Sequence, residues 1–304
     1  MKSIYFFLIF SFISASATAQ TSNLKQIIDQ KANELEEQVI EWRRWFHENP
    51  ELSNREFKTA EKIAEHLRSL GLKVKTGVAH TGVVAILEGG KPGPVVGLRA
   101  DIDGLPVVER TDVPFRSTVV GEYQGKEVGV MHACGHDTHI AILMGVAQIL
   151  TEMKDDLNGT VKFIFQPAEE GAPAGEEGGA ELMVKEGVLK NPDVDAIFGL
   201  HISDATPVGM IAYRPRGIMA SSNSYSITIK GKQAHGSAPW SGVDPIVTAA
   251  QIINNIQTIV SRNMNLTNQA AVVTVGQIHG GVRSNIIPEE VYMEGTIRAL
   301  DNEM

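Results

Sequence analysis

From Leu72 onward the chain abandons a helical hydrophobic period for short runs of valine and isoleucine fenced by glycine and proline, and several of these runs end on a metal-ligand type of side chain. Leu72 to Thr76, Gly82 to Leu87, Pro94 to Ala100, Val161 to Phe165 and Ala196 to Leu200 read as strands. The last two follow helical stretches, so the pattern is α/β with a largely covered sheet. In open α/β sheets, ligands bind beyond the carboxyl ends of the strands. Asp101 and Asp103 lie just past one strand, Glu169 and Glu170 just past another, and His201 ends a third. These separate segments are therefore expected to converge on one crevice.

The densest cluster of ligand types is Met131 to His139, Met-His-Ala-Cys-Gly-His-Asp-Thr-His, which holds the only cysteine and three of the nine histidines. Sulfur and nitrogen donors suit zinc and related ions. Cys134 and His136 stand two apart around Gly135, where a bent backbone lets both side chains aim at one point. The apolar residues that follow, from Ile140 to Leu150, recur at helical spacing, which puts the pair at a loop-to-helix junction. Each motif alone has an ordinary use: Cys134 as a small buried residue, Asp101 and Asp103 as turn caps, Glu169 and Glu170 as a solvated acidic loop, His201 as a satisfied strand-end histidine. All of these being coincidental together is far less expected than one shared site. Adjacent glutamates after a proline turn can divide two jobs, one binding a cation and the other taking a proton from the water that the cation acidifies. Glu169 is assigned as the base and Glu170 as the ligand.

Other features bound the function. Residues 1–19 have the form of a secretory signal: Lys2, an apolar run from Ile4 to Ile13, and Ala17-Thr18-Ala19 as a cleavage pattern. That run is shorter than the roughly 20 residues a membrane-spanning helix needs, so an exported protein cleaved near Ala19 and without stable membrane association is expected. The formal charge of -9 becomes -10 without Lys2, which argues against nucleic acid as a partner. A lone cysteine excludes an intrachain disulfide framework.

Before the first strand, Ser22 to about Glu48 and about Glu56 to Leu70 read as helices, the first ended by Pro50 and the second closed by Gly71. After His201, Ser224 to Lys230 alternates like a strand. Asp244-Pro245 opens a helix whose Ala249, Ile252, Ile253 and Ile256 share a face expected to pack on its own sheet, and strands follow over Ala271 to Ile278 and Glu290 to Leu300. The domains are expected at residues 20–213 and 214–304.

The segments Trp42 to Ser53, Arg99 to Pro106, Met131 to His139, Gln166 to Glu170, Gly199 to His201 and Gly280 to Pro288 resemble, in order and spacing, the M20 metallopeptidase family. They look most like its amidohydrolase branch, which hydrolyses N-acyl amino acids, hippurate and auxin conjugates. The resemblance implies a catalytic domain with a mixed, mostly parallel sheet covered by helices, and an inserted α+β, ferredoxin-like lid through which subunits dimerise. It implies two divalent cations per site, zinc or manganese, held by Cys134, His136, Glu170 and His201, with Glu169 as base. Asp101 and Asp103 would stand beside the metals and orient their ligands. His235 would reach a neighbouring subunit's site and stabilise an oxyanion. Asn285 would line the substrate pocket, and Arg298 would bind a substrate carboxylate. Family members continue beyond the point matched by Met304, with one more metal-binding histidine, so a C-terminally truncated lid is expected. The expected activity is metal-dependent hydrolysis of an N-acyl amino acid or short peptide; the alternative is an inactive homologue that binds metal or peptide without turnover.

Overall fold

The computed structural model describes the backbone of residues 2–304 and the side chains of residues 24–304; the signal-peptide reading of residues 1–19 lies outside the described side chains. The chain divides into two compact units, Met1–Ala205 and Thr206–Met304.

The first unit runs α1 (Lys2–Glu48), α2 (Phe57–Ser69), β1 (Lys73–Val78), β2 (Gly82–Glu88), β3 (Lys91–Asp101), β4 (Val120–Tyr123), β5 (Lys126–Gly129), α3 (His136–Glu152), β6 (Asn158–Gln166), α4 (Gly179–Lys185) and β7 (Ala196–Gly199). Thr59, Ala60, Ile63, Ala64 and Leu67 bury one stripe of α2 at i, i+3, i+4 spacing. At its end Gly71 takes φ +76°, its N–H donates to the Arg68 carbonyl, and the Leu72 N–H donates to that of Leu67. This left-handed closure is the one a glycine at that place provides without strain.

Five strands form one sheet in the order β1-β2-β6-β3-β7. β1–β2 and β2–β6 pair antiparallel, while β3–β6 and β3–β7 pair parallel. The sheet is mixed, but parallel pairing does not predominate as expected: the β1–β2 and β2–β6 pairs are antiparallel, equal in number to the two parallel ones. Phe163 and Phe165 of β6 and Val83 and Ala85 of β2 are fully buried with Phe46, Ile63, Leu67, Ile140 and Met144 from α1 to α3. Gly145 lets α3 approach α1 closely, since a Cβ there would stand 2.9 Å from a Val39 methyl. The parallel strands β3 and β7 run side by side and carry Asp101 and the approach to His201 to one end of the sheet.

A second framework feature is the buried Lys162 of β6. Its ammonium donates three hydrogen bonds, to the carbonyls of Val188 (3.0 Å), Lys190 (2.8 Å) and Pro192 (3.1 Å), and so ties the loop before β7 to the sheet.

The second unit holds β8 (Asn223–Lys230), β9 (Ala234–His235), α5 (Pro245–Thr258), β10 (Ala271–Gly280), β11 (Ile286–Ile287) and β12 (Glu290–Ala299). β8, β12 and β10 make an antiparallel sheet with β12 central. Asp244 caps α5 by accepting from the Ile246 and Val247 N–H groups, with Pro245 in the first turn. Ala249, Ile252 and Ile253 pack on Ile227, Ile229, Val275, Val291 and Met293, so the apolar stripe of α5 serves its own sheet. Among the described residues no helix is long and apolar enough to cross a membrane.

Candidate metal centre

The crevice at the carboxyl ends of β3, β6 and β7 gathers every ligand-type side chain expected there. α3 begins at His136, immediately after Gly135 in the left-handed region at φ +87°. This bend throws Cys134 toward the segment after β7, and its Sγ lies 3.3 Å from His201 Nε2. A Cβ on Gly135 would come within 2.4 Å of Ile202 Cγ2, so the glycine is also what lets the two segments meet.

His136 is fully buried, and its two nitrogens have different surroundings. Nδ1 lies 2.9 Å from the Asp103 carbonyl oxygen and donates to it, which leaves Nε2 as the free nitrogen. Nε2 has no hydrogen-bond partner, yet it faces Asp101 Oδ2 at 3.7 Å, Glu169 Oε2 at 3.7 Å and Glu170 Oε1 at 3.9 Å. An unpaired buried nitrogen ringed by carboxylates calls for a positive charge. Burial opposes protonation of His136, but Asp103 foremost, with Asp101 and Glu169, outweighs it and holds the imidazole up at about 9. Burial, with Glu170 and Glu169 adjacent, pushes the Cys134 thiol up to about 12. Burial raises Glu169 as well, against the pull of His136.

A divalent cation fits this donor set. The donor atoms of Cys134, His136 and His201, and those of His136, Glu169 and Glu170, lie within 4.8 Å of one another. Two donors at ordinary zinc distances of about 2.0 to 2.3 Å in a tetrahedron stand roughly 3.3 to 3.8 Å apart, close to the separations seen here.

Asp101 and Asp103 do more than cap a turn. Asp101 is buried between the Arg99 guanidinium (2.6 Å) and His139 Nδ1 (2.5 Å). Burial would raise its carboxyl, but these partners outweigh that and hold it down at about 2. Asp103 Oδ2 accepts from Ser53 Oγ (2.8 Å) and from the Glu170 N–H (3.0 Å), while its carbonyl holds His136.

His139 was not singled out in the sequence, although it stands one helical turn from His136 on α3. It donates from Nδ1 to Asp101 and accepts the Ile202 N–H at Nε2 (2.9 Å). Both nitrogens are therefore engaged, and its role is to fix the chain beside His201. Ser53, Glu56 and Arg99 are further supports that the sequence reading missed.

In the second unit, β9 pairs with β11 through His235↔Ile286 and Ala234↔Ile287, and the Gly236 N–H donates to the Asn285 carbonyl (2.8 Å). His235 and Asn285 thus share one corner. Arg298 does not join them: it lies on β12 opposite Val272, while the other end of that strand, at Glu290, is the one next to the corner. Eight residues of strand separate Glu290 from Arg298, roughly 26 Å at about 3.3 Å each.

A model of the peptidase family M20/M25/M40 matches residues 97–288. The chain belongs to this family. It is 44% identical over 283 residues to thermostable carboxypeptidase 2 of Saccharolobus solfataricus, covering 93% of this chain and 68% of that protein. N-acetyl-L-cysteine deacetylase of Bacillus subtilis is 42% identical over 270 residues, 89% of this chain and 61% of that one. Among solved structures, the YXEP protein of Bacillus subtilis, described as a dinuclear metal binding peptidase from the M20 family, superposes with a TM-score of 0.71 at 39% identity. That match covers 89% of this M20 chain and 66% of the solved one. The sequence resemblance and the mixed α/β architecture thus agree, and the chain is that of a hydrolase of the M20 peptidase class.

Proposed function

We propose that this M20 chain serves a metal-dependent amidohydrolase that cleaves the amide bond of an N-acyl amino acid or short peptide, with Glu169 as general base. The observation that carries the reading is His136 Nε2, buried and unpaired, facing Glu169 and Glu170 from a site that also gathers Cys134 and His201. Cys134, His136, Glu170 and His201 would hold divalent cations, zinc or manganese, two per site. When bound, such cations polarise an amide carbonyl and acidify water. Glu169, whose carboxyl is raised chiefly by partial loss of water around it, takes the proton from the attacking water and delivers it to the departing amine. Asp101 and Asp103 hold His139, His136 and the Glu170 backbone in place while this occurs.

Residues 214–304, which lie in the second unit, are proposed as a lid and dimerisation domain, and His235 as an oxyanion donor toward a partner subunit's site. Its geometry supports that use: the Ser237 N–H donates to His235 Nδ1 (3.1 Å), so in the neutral ring Nε2 carries the proton and is free to donate. Asn285, at the same corner, is proposed to contact substrate; Arg298, at the far end of β12, would require a different copy to meet the same small molecule. The apolar run before Ala19 supports an exported enzyme. Carboxypeptidase and N-acetylcysteine deacetylase activities among the relatives support both peptides and N-acyl amino acids as substrates.

The test is Glu169→Gln assayed on a panel of N-acetyl and N-benzoyl amino acids with metal content measured in parallel. Retained metal with at least a ~100-fold fall in kcat is expected, the low end for a lost general base. Near-normal turnover in that variant refutes the assignment.

A further inference from the structure

The turn that carries the two glutamates is pinned from both sides by carboxylates, Asp103 and Glu56, and the proposed mechanism gives no role to the second. Asp103 Oδ2 accepts the Glu170 N–H at 3.0 Å. On the other side, the Ala168 N–H donates to Glu56 Oε1 at 2.9 Å. Glu56 is fully buried at the entry to α2, and its other oxygen accepts from Thr81 Oγ1 at 2.5 Å. Ala168, itself buried, sits at φ +48°, a conformation that an alanine keeps only where its surroundings enforce it. Glu169 stands between the two pinned N–H groups, and no other side-chain acceptor holds this turn among the described residues. The segment before α2 reaches the same region again through Asn54, whose amide donates to the Glu177 carbonyl and the Glu176 carboxylate, both at 3.0 Å.

We propose that Glu56 is a positioning residue for the metal centre: by spanning from Thr81 to the Ala168 N–H it sets the turn that aims Glu169 and Glu170, and it does so through its reach rather than its charge. This rests on the reading of Glu169 and Glu170 as base and ligand. A glutamine at position 56 keeps the same reach, accepting the Ala168 N–H with its oxygen and donating its amide to Thr81 Oγ1. An aspartate, one methylene shorter, keeps the carboxylate but cannot span both partners.

The experiment compares Glu56→Gln and Glu56→Asp in the full chain, reading zinc affinity by competition with a chromophoric chelator and kcat and KM on N-acetyl-L-cysteine. Glu56→Asp is expected to weaken zinc binding by about tenfold or more, as loss of a group supporting a ligand does. Its kcat should fall with KM little changed, while Glu56→Gln stays within about threefold of the parent in zinc affinity, in line with the hydrogen bonds it retains. Zinc affinity unchanged in Glu56→Asp overturns the proposal, and so does an equal loss in both variants, which would assign the effect to charge. Should Glu56→Asp fail to unfold cooperatively, Thr81→Val, which releases the other end of the strut, takes its place; unchanged zinc affinity there also overturns it. Glu169→Gln run beside them separates the two readings: turnover surviving that change removes the base assignment, whereas its loss with Glu56→Asp unaffected removes only this inference.

Discussion

Burial of Glu56 makes a quantitative demand on the pH dependence of stability. Its carboxyl is pushed from 4.5 up to about 7, chiefly because burial strips water from the charged form; the Thr81 and Ala168 hydrogen bonds oppose this and the nearby Asp103 carboxylate adds to it. A proton held more tightly in the native than in the unfolded chain stabilises the fold fully below pH 4.5, and that stabilisation is lost as pH rises to 7. The interval from 4.5 to 7 is two and a half tenfold steps. At about 1.4 kcal/mol per step this amounts to about 3 kcal/mol. Glutamine retains both hydrogen bonds and never ionises. Glu56→Gln should therefore match the parent near pH 4.5 and exceed it by up to about 3 kcal/mol at pH 8, a difference that opens mainly between pH 5 and 7. Urea unfolding of both proteins with a chelator present, at pH 4.5, 6, 7 and 8, gives the difference directly, because every other titrating group is common to the pair. Asp103, the ionisable neighbour facing Glu56, lies below the ordinary carboxylate range and stays charged throughout. Parallel stability curves, or a glutamine variant less stable at pH 8, would refute the reasoning.

Two further substitutions probe how the site is held. Gly135→Ala sets a methyl 2.4 Å from Ile202 Cγ2 at φ +87°, so Ile202 must shift, and with it the N–H that His139 receives and the adjoining His201. Zinc affinity should fall about tenfold or more with the fold retained, and an unchanged chelator competition would count against the close approach. Lys162→Met leaves three carbonyls without their ammonium donor and should lower unfolding free energy by about 2 to 4 kcal/mol, as bonds to a buried charged group imply. An unfolding midpoint equal to the parent's would show that water replaces the donor.

The elements whose period ran over many residues were readable in advance. The stripes of α2 and α5, the Gly71 closure and the Asp244-Pro245 start all follow from spacing and from residues with one strong local preference. The β4–β5 hairpin was not read. Its strands have four residues each, and its turn is Gln124-Gly125, both with positive φ, where asparagine or aspartate before glycine would have advertised the same geometry. Strand direction was also opaque: β2 and β6 look like any buried valine- and phenylalanine-rich runs, and nothing local records that they pair antiparallel while β3 and β6 run parallel.

The same contrast divides the site. Its ligand-type residues were legible because parallel neighbours such as β3 and β7 deliver their ends to one side of a sheet, so a residue just past a strand has a predictable destination. Supports have no such rule. Ser53 bonds Asp103 across 50 residues and Glu56 bonds Ala168 across 112, both from a loop that looks like an ordinary helix entry. His139 falls between these cases, since its spacing from His136 puts it on the right face of α3 while only the structure shows both its nitrogens already engaged. A histidine with one nitrogen on a carbonyl and the other unpaired, as in His136, can take a cation; a histidine with both engaged cannot without breaking a bond. Replacement of His139 should therefore disturb the site through Ile202 and Asp101, whereas replacement of His136 removes a donor outright, and chelator competition on the two alanine variants should rank His136 as the more damaging loss.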